Sequence, residues 1–234
     1  RQMTIRLVTF DLDNTLWHVD TVIRRAEKET RNWIQPRVPE YASCMTTENV
    51  ASLRAQVMEE NPDIRHDVSE LRIQMMRRAF EQCGLPSTEA SAKAREAFAV
   101  FIRWRNTITF YDGAQDTLNT LSHRYQLAAL TNGNADVQKI GLDSYFSFAI
   151  SAADVGASKP SPEMFLEAMR RAEVSPAHAV HIGDHPIDDI EGANRVGMHS
   201  IWVNFDGKTD QVPAHATVTD LPSLVGAILA LEGS

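Results

Sequence analysis

Two aspartates separated by one residue, Asp11 and Asp13, follow an apolar run near the start of the sequence. A carboxylate at a strand tip can attack phosphorus, which divides a slow hydrolysis into two displacements through an aspartyl-phosphate. If the backbone stays extended, Asp13 projects on the same side as Asp11, where it can protonate a leaving oxygen and later deprotonate water. We therefore predict a nucleophile at Asp11 and an acid/base residue at Asp13. The simpler alternative is a turn that caps a helix.

Two further carboxylates, Asp184 and Asp189, follow another apolar run. Neighbouring carboxylates repel one another unless a cation lies between them. Because every candidate ligand is an oxygen, the set suits Mg²⁺ better than zinc. We therefore predict a magnesium site that comprises Asp11, Asp13, Asp184 and Asp189. The adjacent Asp188 is interpreted as a residue of a helix N-terminus.

Thr131, Asn132, Gly133 and Lys159 predict a binding site for a phosphoryl group. Thr131 offers a hydroxyl, and the Asn132-Gly133 turn offers backbone N–H groups to phosphoryl oxygens. Asn-Gly also forms plain tight turns, but here it joins a strand to a helix, which favours anion binding. Lys159 could be a solvated surface lysine. Phosphoryl transfer needs fixed positive charge, so we predict Thr131 and Lys159 as catalytic clamps.

The histidines and cysteines predict no metal site of their own. If residues 177–183 form a strand, His178 and His181 point to opposite faces of the sheet. They could then not bind one zinc ion together with His185. His181 is interpreted as a packed strand residue, and His185 either lines the site or is solvated. Cys44 and Cys83 are too few for a disulfide framework, which favours reduced thiols in a cytoplasmic protein.

The pattern of elements predicts an α/β fold, a Rossmann-like parallel sheet with helices on both faces. Residues 17–108 instead repeat apolar side chains at helical spacing and predict a four-helix module. The α/β domain is therefore expected to be discontinuous, with residues 1–16 and 109–234 forming the core and residues 17–108 an inserted helical-bundle cap. Strands are expected at residues 5–10, 126–130, 148–152, 179–182 and 199–203, and core helices at 114–124, 162–172, 187–196 and 221–231, with a short helix after Asn134.

Charge separates these two parts of the sequence. The whole chain has a formal net charge of −8, which argues against a dedicated nucleic-acid partner. Residues 17–108 contain 14 Lys+Arg and 13 Asp+Glu, so the excess of acidic residues lies in the α/β part. This excess favours a cation-binding site there. No apolar run is long enough to cross a membrane, and no secretory signal is visible. The sequence leaves open whether the chain is a monomer or a homodimer.

Four clusters of polar residues follow predicted strands in this order along the sequence: Asp11 with Asp13, residues 131–133, Lys159, and Asp184 with Asp189. Together they resemble the motifs of the haloacid dehalogenase-like (HAD) hydrolase superfamily, and the resemblance covers essentially the whole chain. The resemblance implies that the Asp11 and Asp184 side chains and the Asp13 backbone carbonyl bind Mg²⁺ directly. It places Asp189 in an outer position or behind a water. It also implies that the helical insert closes over the phosphoryl site and excludes water.

The resemblance implies a phosphatase for small phosphorylated molecules, because the dehalogenase branch lacks an acid at the position of Asp13. Within this capped branch the sequence is similar to bacterial YigB-type phosphatases, which act on 5-amino-6-(5-phospho-D-ribitylamino)uracil in riboflavin biosynthesis and accept FMN. Trp17 could stack on such a ring, and His66, Arg72 and Arg77 could contact substrate hydroxyls or charge. Each of these four residues could equally be part of helix packing or of a solvated face.

Other activities of the same superfamily stay open at this point. A phosphosugar mutase would return the phosphoryl group to a sugar instead of water, and a nucleotidase would differ only in its leaving group. A non-catalytic protein that binds a phosphorylated ligand is a third alternative. The intact set of Asp11, Asp13, Lys159 and Asp184 argues against that alternative.

Overall fold

The computed structural model describes residues 4–233 and contains one parallel sheet in that part of the chain. Its order is β3-β2-β1-β4-β5-β6, and every neighbouring pair is parallel. The α/β fold class is thereby confirmed. The strands are β1 (Leu7–Phe10), β2 (Gln126–Thr131), β3 (Phe148–Ser151), β4 (Ala179–Gly183), β5 (His199–Val203) and β6 (Ala216–Val218).

The helical unit runs from Val19 to Ile108 and forms one of two compact units. Its first residue, Val19, lies two residues after residue 17, the expected start of the inserted cap. Trp33, Phe80 and Phe98 belong to a cluster of buried and partly buried apolar side chains in this unit. Its helices are α1 (Val19–Ile34), α2 (Tyr41–Cys44), α3 (Thr47–Glu60), α4 (Val68–Gln82) and α5 (Ser87–Arg105), with a 3₁₀ turn at Pro62–Ile64. Cys44 and Cys83 are free and half-buried.

The other unit consists of the chain up to His18 together with the chain from Thr109 onward. All four residues of β1 are buried, as expected for a strand covered on both faces of a parallel sheet. Met164, Phe165 and Met169 of α9 pack on this sheet. The helices of the unit are α6 (Ala114–Ser122), α7 (Val137–Ile140), α8 (Ala152–Val155), α9 (Glu163–Ala172), α10 (Gly192–Arg195) and α11 (Leu224–Glu232), with a 3₁₀ turn at Pro176–His178.

A π-helix and the strand β6 are not expected from the sequence. The helix expected at residues 187–196 begins as a π-helix, Pro186–Glu191, and only its last turn is α10. Strand β6 has no counterpart in the sequence-based reading, because its three residues alternate too briefly to reveal a period. Among residues 4–233, no helix combines the length and apolar character that a membrane span requires.

Candidate active site

Asp11, Thr131 and Asp184 lie at the carboxyl edge of the sheet, where parallel α/β sheets bind ligands. Asp11 follows β1, Thr131 is the last residue of β2, and Asp184 follows β4. Because β1 pairs with both β2 and β4, these three residues belong to adjacent strands. Lys159 reaches them from the loop between α8 and α9.

Lys159 is a buried cation held between two carboxylates. Its Nζ donates to Asp11 Oδ1 at 2.9 Å and to Asp189 Oδ1 at 2.7 Å, and the side chain is 1% exposed. Burial would lower the pKa of Lys159, but the two carboxylates outweigh it and raise the pKa above its usual value. Lys159 is therefore charged, and the alternative of a solvated surface lysine is wrong.

Asn132 holds the backbone of Lys159 through two hydrogen bonds. The Lys159 N–H donates to Asn132 Oδ1 at 2.7 Å, and Asn132 Nδ2 donates to the Lys159 carbonyl at 3.0 Å. The Asn132 side chain thus positions the lysine loop, a contact that sequence spacing does not reveal. The Gly133 N–H donates to the Thr131 hydroxyl at 2.9 Å, and the role of Gly133 in phosphate binding stays a prediction.

Asp11, Asp184 and Asp189 form the acidic cluster of the site. One oxygen from each lies within 4.8 Å of the others. The Thr15 hydroxyl bonds to Asp11 Oδ2 at 2.9 Å and to Asp184 Oδ1 at 3.2 Å. Burial and the neighbouring charge of Asp189 raise the pKa of Asp11 and of Asp184, although Lys159 opposes the shift at Asp11. Thr15, which the sequence reading left without a role, therefore links two of the carboxylates.

Asp189 accepts hydrogen bonds at both of its oxygens. Oδ1 accepts from Lys159 Nζ and from His181 Nε2, and Oδ2 accepts from the His185 backbone N–H at 3.1 Å. Burial alone would raise the pKa of Asp189, but Lys159 and His181 outweigh burial and hold the pKa below its usual value. Asp189 is thus a charged residue that fixes Lys159. Its predicted role toward a metal stays a prediction.

His181 connects this charge network to the centre of the sheet. It is fully buried, as expected for a packed strand residue, and it pairs in register with Thr9 of β1. The Thr9 hydroxyl lies 2.7 Å from His181 Nδ1, and His181 Nε2 lies 2.8 Å from Asp189 Oδ1. Burial lowers the pKa of His181, so the ring is neutral. A carboxylate only accepts, so Nε2 carries the hydrogen and Nδ1 accepts from Thr9.

Trp17 does not have the role that the sequence suggested. Its side chain is fully buried, so neither ring face is open for a substrate to stack on, and the predicted stacking is wrong for this structure. The indole Nε1–H instead donates to Asp13 Oδ1 at 2.8 Å. Asn14, between the two, has a positive φ of 63°, the left-handed conformation that Asn tolerates better than most residues.

The other substrate candidates belong to the helical unit and make contacts within it. The Arg72 guanidinium lies 3.8 Å from the centroid of the Phe101 ring and 3.6 Å from Glu27. Arg77 donates to Gln74 and Glu81 on its own helix. Both arginines therefore take part in helix packing, the alternative that the sequence left open. His66 is half-buried, and a substrate role for it stays a prediction.

The ring nitrogens of His178 and His185 bond to backbone groups outside the acidic cluster. His178 bonds to the Thr4 carbonyl at 2.7 Å. His185 accepts from the N–H groups of Ile187 and Asp188, and it thereby caps the π-helix whose first turn contains Asp188. Within residues 4–233, the acidic cluster is the one group of three or more potential ligands close enough to hold a metal.

Comparison with known proteins places this site in a family. The family model described as haloacid dehalogenase-like hydrolase matches residues 5–197. The chain belongs to that family. The HAD-like hydrolases include a protein 37% identical to this chain, the 5-amino-6-(5-phospho-D-ribitylamino)uracil phosphatase YigB of Escherichia coli K12, with 85% of this chain and 83% of YigB covered.

Two further HAD-like proteins extend the comparison. The human haloacid dehalogenase-like hydrolase domain-containing protein 3 is 32% identical, with 66% of each chain covered. The crystal structure of a 2-haloacid dehalogenase from Pseudomonas syringae pv. tomato DC3000 is 40% identical and has a TM-score of 0.93, with 97% of this chain and 99% of that chain covered. The membership of the HAD-like hydrolases that the four clusters indicate is thereby confirmed.

The acidic cluster of this HAD-like hydrolase fits a hard divalent cation. All its ligand atoms are carboxylate oxygens, the donors that Mg²⁺ prefers. Burial and mutual repulsion disfavour the charged forms of Asp11 and Asp184. A divalent cation would offset both costs, so the residues present suit the metal that the family implies.

Proposed function

We propose that the chain is a Mg²⁺-dependent phosphomonoesterase that acts through an aspartyl-phosphate on Asp11. The observation that carries this proposal is the buried Lys159, which lies 2.9 Å from Asp11 in an acidic site of a HAD-like hydrolase. A buried ammonium is costly unless it has charge to balance. Here it balances carboxylates at rest and is available to stabilise the negative charge that phosphoryl transfer spreads over oxygen.

The proposed reaction has two displacements at phosphorus. Asp11 attacks the phosphoryl group, the bond from phosphorus to the ester oxygen breaks, and Asp13 gives its proton to the departing oxygen. Asp13 then accepts a proton from water, which attacks the aspartyl-phosphate and releases inorganic phosphate and the free Asp11 carboxylate. Lys159 and the Thr131 hydroxyl contact the transferred group.

The metal would be held by the Asp11 and Asp184 side chains and by the Asp13 backbone carbonyl. When bound, Mg²⁺ neutralises charge on the carboxylates and on the phosphoryl oxygens. The chain supports these ligands with its own hydrogen bonds, chiefly from the Thr15 hydroxyl to Asp11 and Asp184. Asp189 orients Lys159 by accepting a hydrogen bond from its Nζ.

The proposed substrate is 5-amino-6-(5-phospho-D-ribitylamino)uracil, with FMN as a second substrate and magnesium as the cofactor. The support is the similarity to YigB, which spans 85% of this chain. A screen over this compound, FMN, nucleotides and sugar phosphates tests the assignment. We expect the highest kcat/KM for the ribityl phosphates, and an equal response to all compounds would refute the substrate while leaving the phosphatase.

A second candidate function is dehalogenation, which the name of the 40% identical Pseudomonas structure favours. In that reaction Asp11 would displace a halide from carbon. A halide needs no proton to leave, so dehalogenation does not require an acid such as Asp13. In this chain Asp13 is present, and the Trp17 Nε1–H donates to its Oδ1 at 2.8 Å. We therefore favour the phosphatase. Release of chloride from 2-chloropropionate without phosphate release from any phosphomonoester would reverse this choice.

The decisive variant for the mechanism is Asp11→Asn, which keeps the shape of the side chain and removes the nucleophilic oxygen. We expect it to abolish Mg²⁺-dependent phosphate release from p-nitrophenyl phosphate. Asp188→Asn is the matched control, because Asp188 lies in the same segment as Asp184 but belongs to the π-helix. Full activity of Asp11→Asn would exclude the proposed mechanism.

A further inference from the structure

The indole of Trp17 forms a buried hydrogen bond with Asp13, the proposed acid/base residue. Nε1 donates to Asp13 Oδ1 at 2.8 Å, and the Trp17 side chain has no exposed surface. Asp13 itself is half-buried. An indole N–H is a donor only, so Asp13 Oδ1 is the acceptor of this bond.

The backbone around Trp17 holds the indole in this place. The Asn14 N–H donates to the Trp17 carbonyl at 2.7 Å, and Trp17 forms isolated bridges with Asp13 and Phe110. The Trp17 and Phe110 rings pack edge to face, with centroids 6.2 Å apart and an angle of 71°. Backbone and ring contacts together leave the indole little freedom to follow Asp13 if the carboxylate rotates.

A buried indole needs some acceptor for its N–H, and a backbone carbonyl would serve that need. This chain uses the carboxylate that follows the nucleophile by two residues. Because Oδ1 accepts from Trp17, rotation of the Asp13 carboxyl group away from its present orientation would break this hydrogen bond. The contact therefore restrains the orientation of Asp13 as well as satisfying the indole.

We propose that Trp17 is a positioning residue that orients Asp13, so that proton transfer to the leaving group occurs through Oδ2. This inference rests on the proposed phosphatase function. General acid catalysis matters only where the departing oxygen is strongly basic, so loss of orientation should be felt by alkyl phosphates and not by esters of acidic phenols.

The test compares kcat/KM of Trp17→Phe and wild type on two esters, glycerol 1-phosphate and 2,4-dinitrophenyl phosphate, with saturating Mg²⁺. Phenylalanine keeps an aromatic ring and removes the N–H. We expect kcat/KM to fall about tenfold on the alkyl ester and less than about twofold on the dinitrophenyl ester. The tenfold loss is smaller than the roughly 10²- to 10⁴-fold contribution of a general acid, because Asp13 is still present and only its orientation is lost. The ratio of the two values does not depend on the fraction of folded enzyme.

Phe110→Leu is the matched control, because it disturbs the packing of the same ring but leaves the indole N–H in place. We expect it to lower kcat/KM on both esters by the same factor. In an Asp13→Asn background, Trp17→Phe should have no further effect on the alkyl ester, since the group that it orients is gone.

An equal loss on both esters in Trp17→Phe, or a further loss in the Asp13→Asn background, would overturn the positioning role while leaving the phosphatase intact. Wild-type protein that hydrolyses neither ester with Mg²⁺ would overturn the proposed function and this inference with it. The two failures are thus separated by the wild-type measurement alone.

Discussion

Replacement of His181 by leucine tests the buried network beneath the site. The substitution keeps apolar volume but removes both ring nitrogens, which lie 2.7 Å from the Thr9 hydroxyl and 2.8 Å from Asp189 Oδ1. The charged Asp189 then loses the hydrogen bond that the neutral His181 ring donates to it, and a bond to a charged group is worth about 1.5–3 kcal/mol. The Thr9 hydroxyl is left buried without its acceptor, which costs about 1–3 kcal/mol. Burial of the leucine side chain offsets part of this loss.

We therefore expect His181→Leu to lower the free energy of unfolding by about 3 kcal/mol. For a chain of this size that corresponds to a fall in melting temperature of about 6–12 °C. Differential scanning calorimetry at neutral pH provides the measurement.

Thr9→Val completes a double-mutant cycle for the same network. Alone it leaves His181 Nδ1 buried without a donor and should cost about 1 kcal/mol. In the double variant both partners are apolar, so we expect its loss to be about 1 kcal/mol smaller than the sum of the single losses. Additivity to within about 0.5 kcal/mol, or an unchanged melting temperature in His181→Leu, would refute the network as described.

Substitutions of Lys159, Thr15 and Gly183, two of them with matched controls, test other parts of the site. Lys159→Met should lower kcat by at least about 10²-fold in a phosphate-release assay, because the fixed positive charge is lost; retained activity would contradict its role. Thr15→Val should weaken Mg²⁺ binding by about tenfold in calorimetric titration, whereas Thr15→Ser, which keeps the hydroxyl, should not. Gly183→Ala should destabilise the protein and lower kcat, because its Cβ would lie 2.2 Å from Asp189 Cγ, while Gly226→Ala meets no atom within 4 Å and should be neutral or stabilising in thermal melts. Similar melts for the two glycine variants would contradict this reasoning.

Strands β1, β2 and β4 could be predicted from sequence because each is a short, mainly apolar run that is followed by a polar cluster. The strand predicted at residues 126–130, for example, corresponds to β2 (Gln126–Thr131). The strand order and β6 could not be predicted, since pairing depends on contacts between distant segments. The π-helix at Pro186–Glu191 also has no periodic signature that separates it from an α-helix.

The aspartates and Lys159 were predictable as a set because their residue types and strand-end positions match one chemistry. Their partners were not. Trp17 is four residues from Asp13, and its aromatic character suggested an exposed stacking surface instead of a buried donor. The bond between His181 and Asp189 depends on which ring nitrogen faces which strand, and sequence spacing does not determine that.

The central place of β1 in the sheet has a consequence for how the chain is made. Leu7–Phe10 is fully buried, yet its two partner strands begin only at Gln126 and Ala179. During synthesis the helical unit, from Val19 to Ile108, therefore emerges complete before β1 has any neighbour. β1 is thus made before the other strands of the sheet and has both edges unpaired for longest, a state in which strand edges are prone to aggregate.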